Sequence, residues 1–158
     1  KGNVFSPEAV MRREARVGPG PILYDEGGNW RGLGTAWAMA EMGHTVTIVT
    51  PEPFIGKDLA RTSADIGLRS RLAKLGVTCL TEHLIAEWQG DGATLRNMLT
   101  GEETRRPASA LVMSTTNRAF DPLSAELSGI ETHLIGDAAA PRQAPYAFHE
   151  GRKIGLGL

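Results

Sequence analysis

The chemistry-bearing residues of this chain gather in one short segment, Tyr24-Asp25-Glu26-Gly27-Gly28-Asn29-Trp30-Arg31-Gly32-Leu33-Gly34. Its glycines, Gly27, Gly28, Gly32 and Gly34, follow an apolar run and open a helical pattern. That order suits phosphate binding, because glycine lets an anion approach backbone N–H groups and a helix N-terminus carries partial positive charge. A working dinucleotide loop is spaced G-x-G-x-x-G, with the second glycine where the pyrophosphate comes closest. Taking Gly27 and Gly32 as first and third puts Asn29 second, and its side chain is expected to stand where the phosphate should sit. Asp25 and Glu26 would each repel a pyrophosphate by about 1 kcal/mol or more at short range. The acid that receives the adenine ribose at the end of the next strand is replaced by Thr50-Pro51, with Glu52 only afterwards. Two readings stand. In one the retained glycines hold FAD, ADP or NAD(H); in the other the lobe is degenerate and serves packing.

Other chemistries find no support. His44, His83, His133 and His149 lack metal-ligand spacing, and no metal site is expected. There is no Ser-His-Asp order, P-loop, paired-carboxylate site or aromatic–basic surface, so no catalytic residue is assigned. A single cysteine, Cys79, rules out an internal disulfide and a cysteine-built zinc site, which suits a reducing cytoplasm. Between Thr78 and Leu80 it reads as a buried strand thiol. With 158 residues, 41% hydrophobic, 22% charged and a net charge of -1, the chain can bury a real core and has no bias toward nucleic acid or an anionic membrane. It contains no apolar run of membrane-spanning length, and no secretory leader is expected. Lys1 at the start and a helix-like Gly151–Leu158 at the end read as cut termini.

The elements that would hold these residues follow from periodicity. Ser6-Pro7-Glu8 predicts a helix start, with a Ser cap and Pro in the first turn. Ile22-Leu23-Tyr24, the glycine loop, a helix from Gly32 to Met42 and the strand Thr45–Val49 form a βαβ unit, which requires parallel strands. A helix over 62–75 is expected, with Ile66, Leu68, Leu72 and Leu75 inward, followed by a strand at Val77–Leu80. Trp37 reads as core. Glycine turns over 84–106 predict a three-stranded antiparallel meander. Ala110–Ser114 reads as a central strand, Pro122–Leu127 as a helical turn, and His133-Leu134-Ile135 as a last strand running into Gly136-Asp137. The fold class is α/β: a Rossmann-like FAD/NAD(P)-binding domain, a parallel sheet with helices on both faces plus the meander.

The glycine-loop segment, with Gly43-His44-Thr45-Val46-Thr47-Ile48-Val49-Thr50-Pro51, resembles the C-terminal region of the trimethylamine, dimethylamine and histamine dehydrogenase family. So do Ser6-Pro7-Glu8-Ala9-Val10-Met11, Gly136-Asp137-Ala138-Ala139-Ala140-Pro141-Arg142 and His149-Glu150-Gly151-Arg152, so the resemblance touches both ends. It implies an old yellow enzyme type barrel elsewhere, carrying FMN, an iron–sulfur cluster and the amine site, and no complete catalytic site here. It also implies a linker and short helix over 1–19, a pyridine-nucleotide-binding-like domain over 20–130, and over 131–158 the last strand and helix of a neighbouring FAD- or ADP-binding lobe. That terminal piece is expected to dock on the lobe or on another copy. Asp137 would bond a flavin ribityl or ADP ribose hydroxyl, or else cap the helix near Pro141. Thr116 stands where related flavoproteins have glycine. The implied partners are the remaining domains, a second copy or an electron-acceptor protein, with Trp30 packing against them.

Overall fold

A computed structural model describes residues 2–127 and 129–157. Its strands are β1 (Val4–Phe5), β2 (Ile22–Asp25), β3 (Thr47–Val49), β4 (Thr78–Leu80), β5 (His83–Trp88), β6 (Gly92–Asn97), β7 (Glu103–Pro107) and β8 (Leu111–Ser114), and its helices α1 (Pro7–Met11), α2 (Trp30–Glu41), α3 (Ala64–Lys74) and α4 (Ala144–Gly155). The chain divides into two compact units, Lys1–Thr115 and Thr116–Leu158.

In the first unit the sheet runs β1-β8-β2-β3-β4, every pair parallel. Val4–Phe5, in the segment read as a linker, forms its edge on β8. Side chains alternate across a strand, and here the alternation separates two cores. Leu23, Ile48 and Val112 point to one face, where they meet Val10 of α1, Leu33, Ala36 and Met39 of α2, and Leu68 and Leu72 of α3. Ile22, Tyr24, Val49 and Leu111 point to the other, against Ala93 and Leu95 of the antiparallel sheet β5-β6-β7. The α/β class and the meander stand, with one refinement: in this unit α1, α2 and α3 gather on one face and the meander covers the second. The meander's own alternating apolar residues satisfy that face, leaving no need for a helix there.

The helices form for local reasons. Ser6 Oγ accepts the Ala9 amide at 3.2 Å and Pro7 fills the first turn of α1. On α2 the buried Leu33, Ala36 and Ala40 follow helical spacing, and Met39 is fully buried beside them. On α3 the inward positions are Asp65, Leu68 and Leu72, while Ile66 is 67% exposed, contrary to its expected inward place. A residue one step from Asp65 is turned about 100° away from the buried stripe. Trp37 lies half-buried at the edge of the helical core, with the Arg71 guanidinium 5.7 Å from its ring. Cys79 is also exposed rather than buried, because β4 is the sheet's outer strand.

The second unit holds a turn at 122–127, in which Leu123 O accepts the Glu126 and Leu127 amides, then a 3-10 turn Gly136–Ala138 and α4. The strand expected at His133-Leu134-Ile135 is not formed. A strand needs a neighbour to take its N–H and C=O groups, and among the described residues of this unit there is no other strand. No residue of α4 is buried, and Tyr146, Phe148 and Leu156 are exposed.

Candidate functional site

β2 has β3 on one side and β8 on the other, so the strand order reverses at its C-terminal end, where α/β sheets bind ligands. Asp25 occupies that end, in register with Ser114 of β8. The backbone passes Glu26, whose amide donates to Ser114 O at 3.0 Å, then Gly27 and Gly28, and enters α2. Gly28 has φ +61, a conformation that glycine adopts without steric cost. Asn29 is the N-cap of α2, its Oδ1 accepting the Arg31 amide at 3.0 Å, so its side chain takes a donor at the helix N-terminus. Gly32 lies where the helix touches the strands: a Cβ there would stand 2.5 Å from Asp25 Oδ1 and 2.6 Å from Ser114 Oγ. It has the packing role of the third fingerprint glycine. Gly34 is one residue pair beyond, with only Trp30 Cε3 near, at 4.0 Å.

The decisive group is Asp25. It is 1% exposed, and its carboxylate accepts the Gly28 amide at 3.1 and 3.3 Å. Burial pushes its pKa up to about 6, against the pull of the Gly28 and Gly27 amides, the Ser114 hydroxyl and the Lys57 charge. Successive loop amides at a helix start form an anion-binding concavity, and here the chain's own carboxylate takes one of its donors. The nearby groups that could greet a phosphate are committed too. Arg31 forms a two-pronged pair with Glu8, Nε–Oε1 2.6 Å and Nη2–Oε2 3.1 Å, and its Nη1 donates to Thr115 O at 3.3 Å. That guanidinium holds Glu8 down at about 2. The segment after β3 lies against the loop: the Asp58 amide donates to Gly28 O at 3.2 Å, and a Cβ on Gly28 would meet the Lys57 backbone at 2.8 Å. Lys57 in turn pairs with Glu52, the acid considered for the ribose. Glu26 serves a different neighbour. With burial as the larger cause, its carboxylate raises the pKa of Tyr24.

The Gly28 amide is bonded to the buried Asp25 carboxylate, and Arg31 and Lys57 are each paired with an acid of the chain. Sequence reasoning placed Asp25 beside the loop but missed that it turns inward. The approach of Lys57 and the Glu8–Arg31 pair had no local sequence signal, since each joins segments more than 20 residues apart in the chain.

In the second unit Gly136 is buried at φ +60, with its amide donating to Glu150 Oε2 at 2.8 Å. Glu150 also pairs with Arg142, and these two contacts, the Gly136 amide first, lower its pKa. Arg142 lies 4.9 Å over the Tyr146 ring. Asp137 is exposed and accepts the Arg142 amide at 3.4 Å; it does not cap α4, whose N-cap is Gln143. Among the described residues no group of His, Cys, Asp or Glu could hold a metal ion, and no helix is long and apolar enough to cross a membrane.

No protein-family model and no curated protein sequence matches the chain. Solved structures do. A histamine dehydrogenase from Rhizobium sp. 4-9 matches with a TM-score of 0.87 and 23% identity, over 99% of this chain and 26% of its own length. The 6-hydroxypseudooxynicotine amine oxidase of Pseudomonas geniculata N1 matches with a TM-score of 0.84 and 24% identity, over 97% of this chain and 24% of its own. A 2-naphthoyl-CoA reductase in complex with 2-naphthoyl-CoA matches with a TM-score of 0.77 and 25% identity, over 98% and 23%. All three are of the trimethylamine dehydrogenase and old yellow enzyme family, so the resemblance read from the sequence holds for the fold along almost the whole chain. The chain spans about a quarter of each of these proteins.

Proposed function

We propose that this chain is the nucleotide-binding-type portion of a flavin-dependent oxidoreductase, an amine dehydrogenase or NADH:flavin oxidoreductase. In this reading its glycine-loop lobe acts as a structural and interaction lobe, and NAD(H) does not occupy it. The observation that carries this is the Asp25 carboxylate, buried at the point of strand reversal and accepting the Gly28 amide. An incoming pyrophosphate would have to displace a carboxylate from its own backbone donors and bring further negative charge into a desolvated place. Among these residues none performs a chemical step; their work is to fix α2 on the sheet and present the lobe's surface to the remaining domains, a second copy or an electron acceptor.

The Gly136-Asp137 turn belongs, in the same proposal, to the FAD or ADP site of the neighbouring lobe. Asp137 keeps an exposed carboxylate able to accept from a ribose or ribityl hydroxyl, and Glu150 fixes the turn through the Gly136 amide. FMN and the iron–sulfur cluster belong to the barrel region of such a parent. Isothermal titration with NADH, NADPH and ADP at low ionic strength tests the first part. The expected result is no saturable heat with NADH or NADPH at millimolar ligand. Saturable NADH binding abolished by a bulky residue at Gly32 would restore the functional-site reading.

A further inference from the structure

On the meander face of the first unit a cavity of about 480 Å³ opens, lined by Leu80, Leu95 and Pro107 together with His83, Thr104, Arg105 and Arg106. Its size falls within the range of small-molecule sites, roughly 300–1,000 Å³. Arg106 is half-buried on β7, and its Nε donates at 3.1 Å to Oγ1 of the buried Thr47 on β3. Among the described residues no carboxylate pairs with it, whereas Arg96 is paired with Glu103 and Arg105 with Asp91. Arginine has five N–H donors, and the Thr47 bond uses one. His83 is spent: its Nδ1 lies 2.5 Å from Thr81 O and its Nε2 3.4 Å from Asn97 Nδ2, so it forms wall rather than donor.

Side chains alternate along β7, so Arg106 turns inward beside Leu80, Leu95 and Pro107 while Arg105 turns to the other face and pairs with Asp91; one guanidinium and no acid face the cavity. Asp91, the partner of Arg105, has a side chain 78% exposed and lies outside the lining. A cation partly withdrawn from water without a counter-charge is stabilised by an anion beside it, and the planar guanidinium fork matches the two oxygens of a phosphate or carboxylate. We propose that this cavity binds a small anionic molecule, a phosphate or carboxylate group on an apolar body, with Arg106 as its cationic donor. Thr47 pairs with Ile22 at the start of β2, whereas Asp25 ends that strand, so the cavity is anchored away from the glycine loop and does not depend on the reading given to it.

The test is calorimetric titration of the protein with phenyl phosphate and, separately, benzoate at constant ionic strength, using wild type, R106Q, R105Q and R96Q. Saturable binding of one probe is expected, weakened about tenfold to a hundredfold in R106Q by loss of charge-assisted hydrogen bonds. R105Q, which removes a charge paired with Asp91 on the other face of β7, should leave it unchanged. R96Q, which removes the same charge from an ion pair outside the lining, should leave it unchanged. The probe that binds distinguishes a phosphorylated ligand from a carboxylic acid. Two outcomes overturn the proposal: neither probe saturating, or R96Q losing as much affinity as R106Q. Should R106Q fail to fold because Thr47 loses its partner, R106K, which keeps the charge and loses the planar fork, carries the test, and unchanged affinity there overturns the assignment.

Discussion

Replacing Asp25 by Asn removes a buried charge while keeping the shape and one acceptor oxygen, and its effect can be worked out from the structure. The carboxyl titrates near 3.8 when unperturbed and at about 6 in the fold, burial being the main cause. For an acid shifted upward, the folded protein holds a proton between those values that the unfolded chain has already released. Stability therefore falls as pH rises from about 4 to about 6 and stays lower above that window. The gap between the two values corresponds to about 3 kcal/mol. At 1% exposure little solvent screening reduces it. Asn resembles the protonated acid, so D25N should be more stable than wild type at pH 7.5. The gain is expected at about 1–3 kcal/mol, because the charge-assisted bond from Gly28 weakens and offsets part of it. Urea unfolding of both proteins at several pH values between 4 and 7.5 reads the difference. Other carboxylates, Glu8 among them, titrate in both proteins and cancel. A difference between the two proteins that does not change across pH 4–6 would refute the placement of Asp25 as a carboxylate whose burial outweighs its hydrogen bonds.

Four further outcomes follow from named contacts. G32A should cost about 1–3 kcal/mol by overpacking against Asp25 and Ser114, whereas G34A, with no atom nearer than 4.0 Å, should gain about 1 kcal/mol of helix propensity; thermal unfolding of the pair reads both. Met39, fully buried among α2, α3 and the sheet, should cost about 2–5 kcal/mol on truncation to Ala, measured by urea unfolding. Replacing Glu8 by Gln should cost less than about 1 kcal/mol despite its short contact with Arg31, because both side chains are partly in water; a double-mutant cycle with R31Q isolates the pair. E150Q should loosen the Gly136-Asp137 turn, read as faster hydrogen exchange at the Gly136 amide with the amides of β2 and β8 unchanged.

The fold was largely legible because its signals are local. Ser6-Pro7 marked the start of α1, β-branched Thr47-Ile48-Val49 marked a strand, and glycine turns marked the meander. Three places misled for one shared reason, that burial is decided by neighbours in space. Cys79 sits on an outer strand, Ile66 is one step off the buried stripe of α3, and Leu134 and Ile135 have no strand beside them. At the glycine loop the sequence set Asp25, Glu26 and Asn29 beside the helix start, and the structure adds the contacts that two of them make. Asn29 caps the helix, and Asp25 turns under it because strand alternation sends its side chain to the helical face, next to Ser114. Arg106 was hidden for the same reason: nothing in Thr104-Arg105-Arg106 reveals that one arginine finds Asp91 and the other only Thr47.

The claim that Asp25 fills the anion seat of the glycine loop is tested most directly by nuclear magnetic resonance on the labelled protein, following the Asp25 side-chain carboxyl carbon and the Gly28 amide nitrogen. The account predicts that the two signals titrate together with a midpoint at about 6, and that the Gly28 amide does not respond to NADH at neutral pH. A carboxyl midpoint near 4, together with a saturable shift of Gly28 on adding NADH, would contradict it and return the loop to the working nucleotide sites.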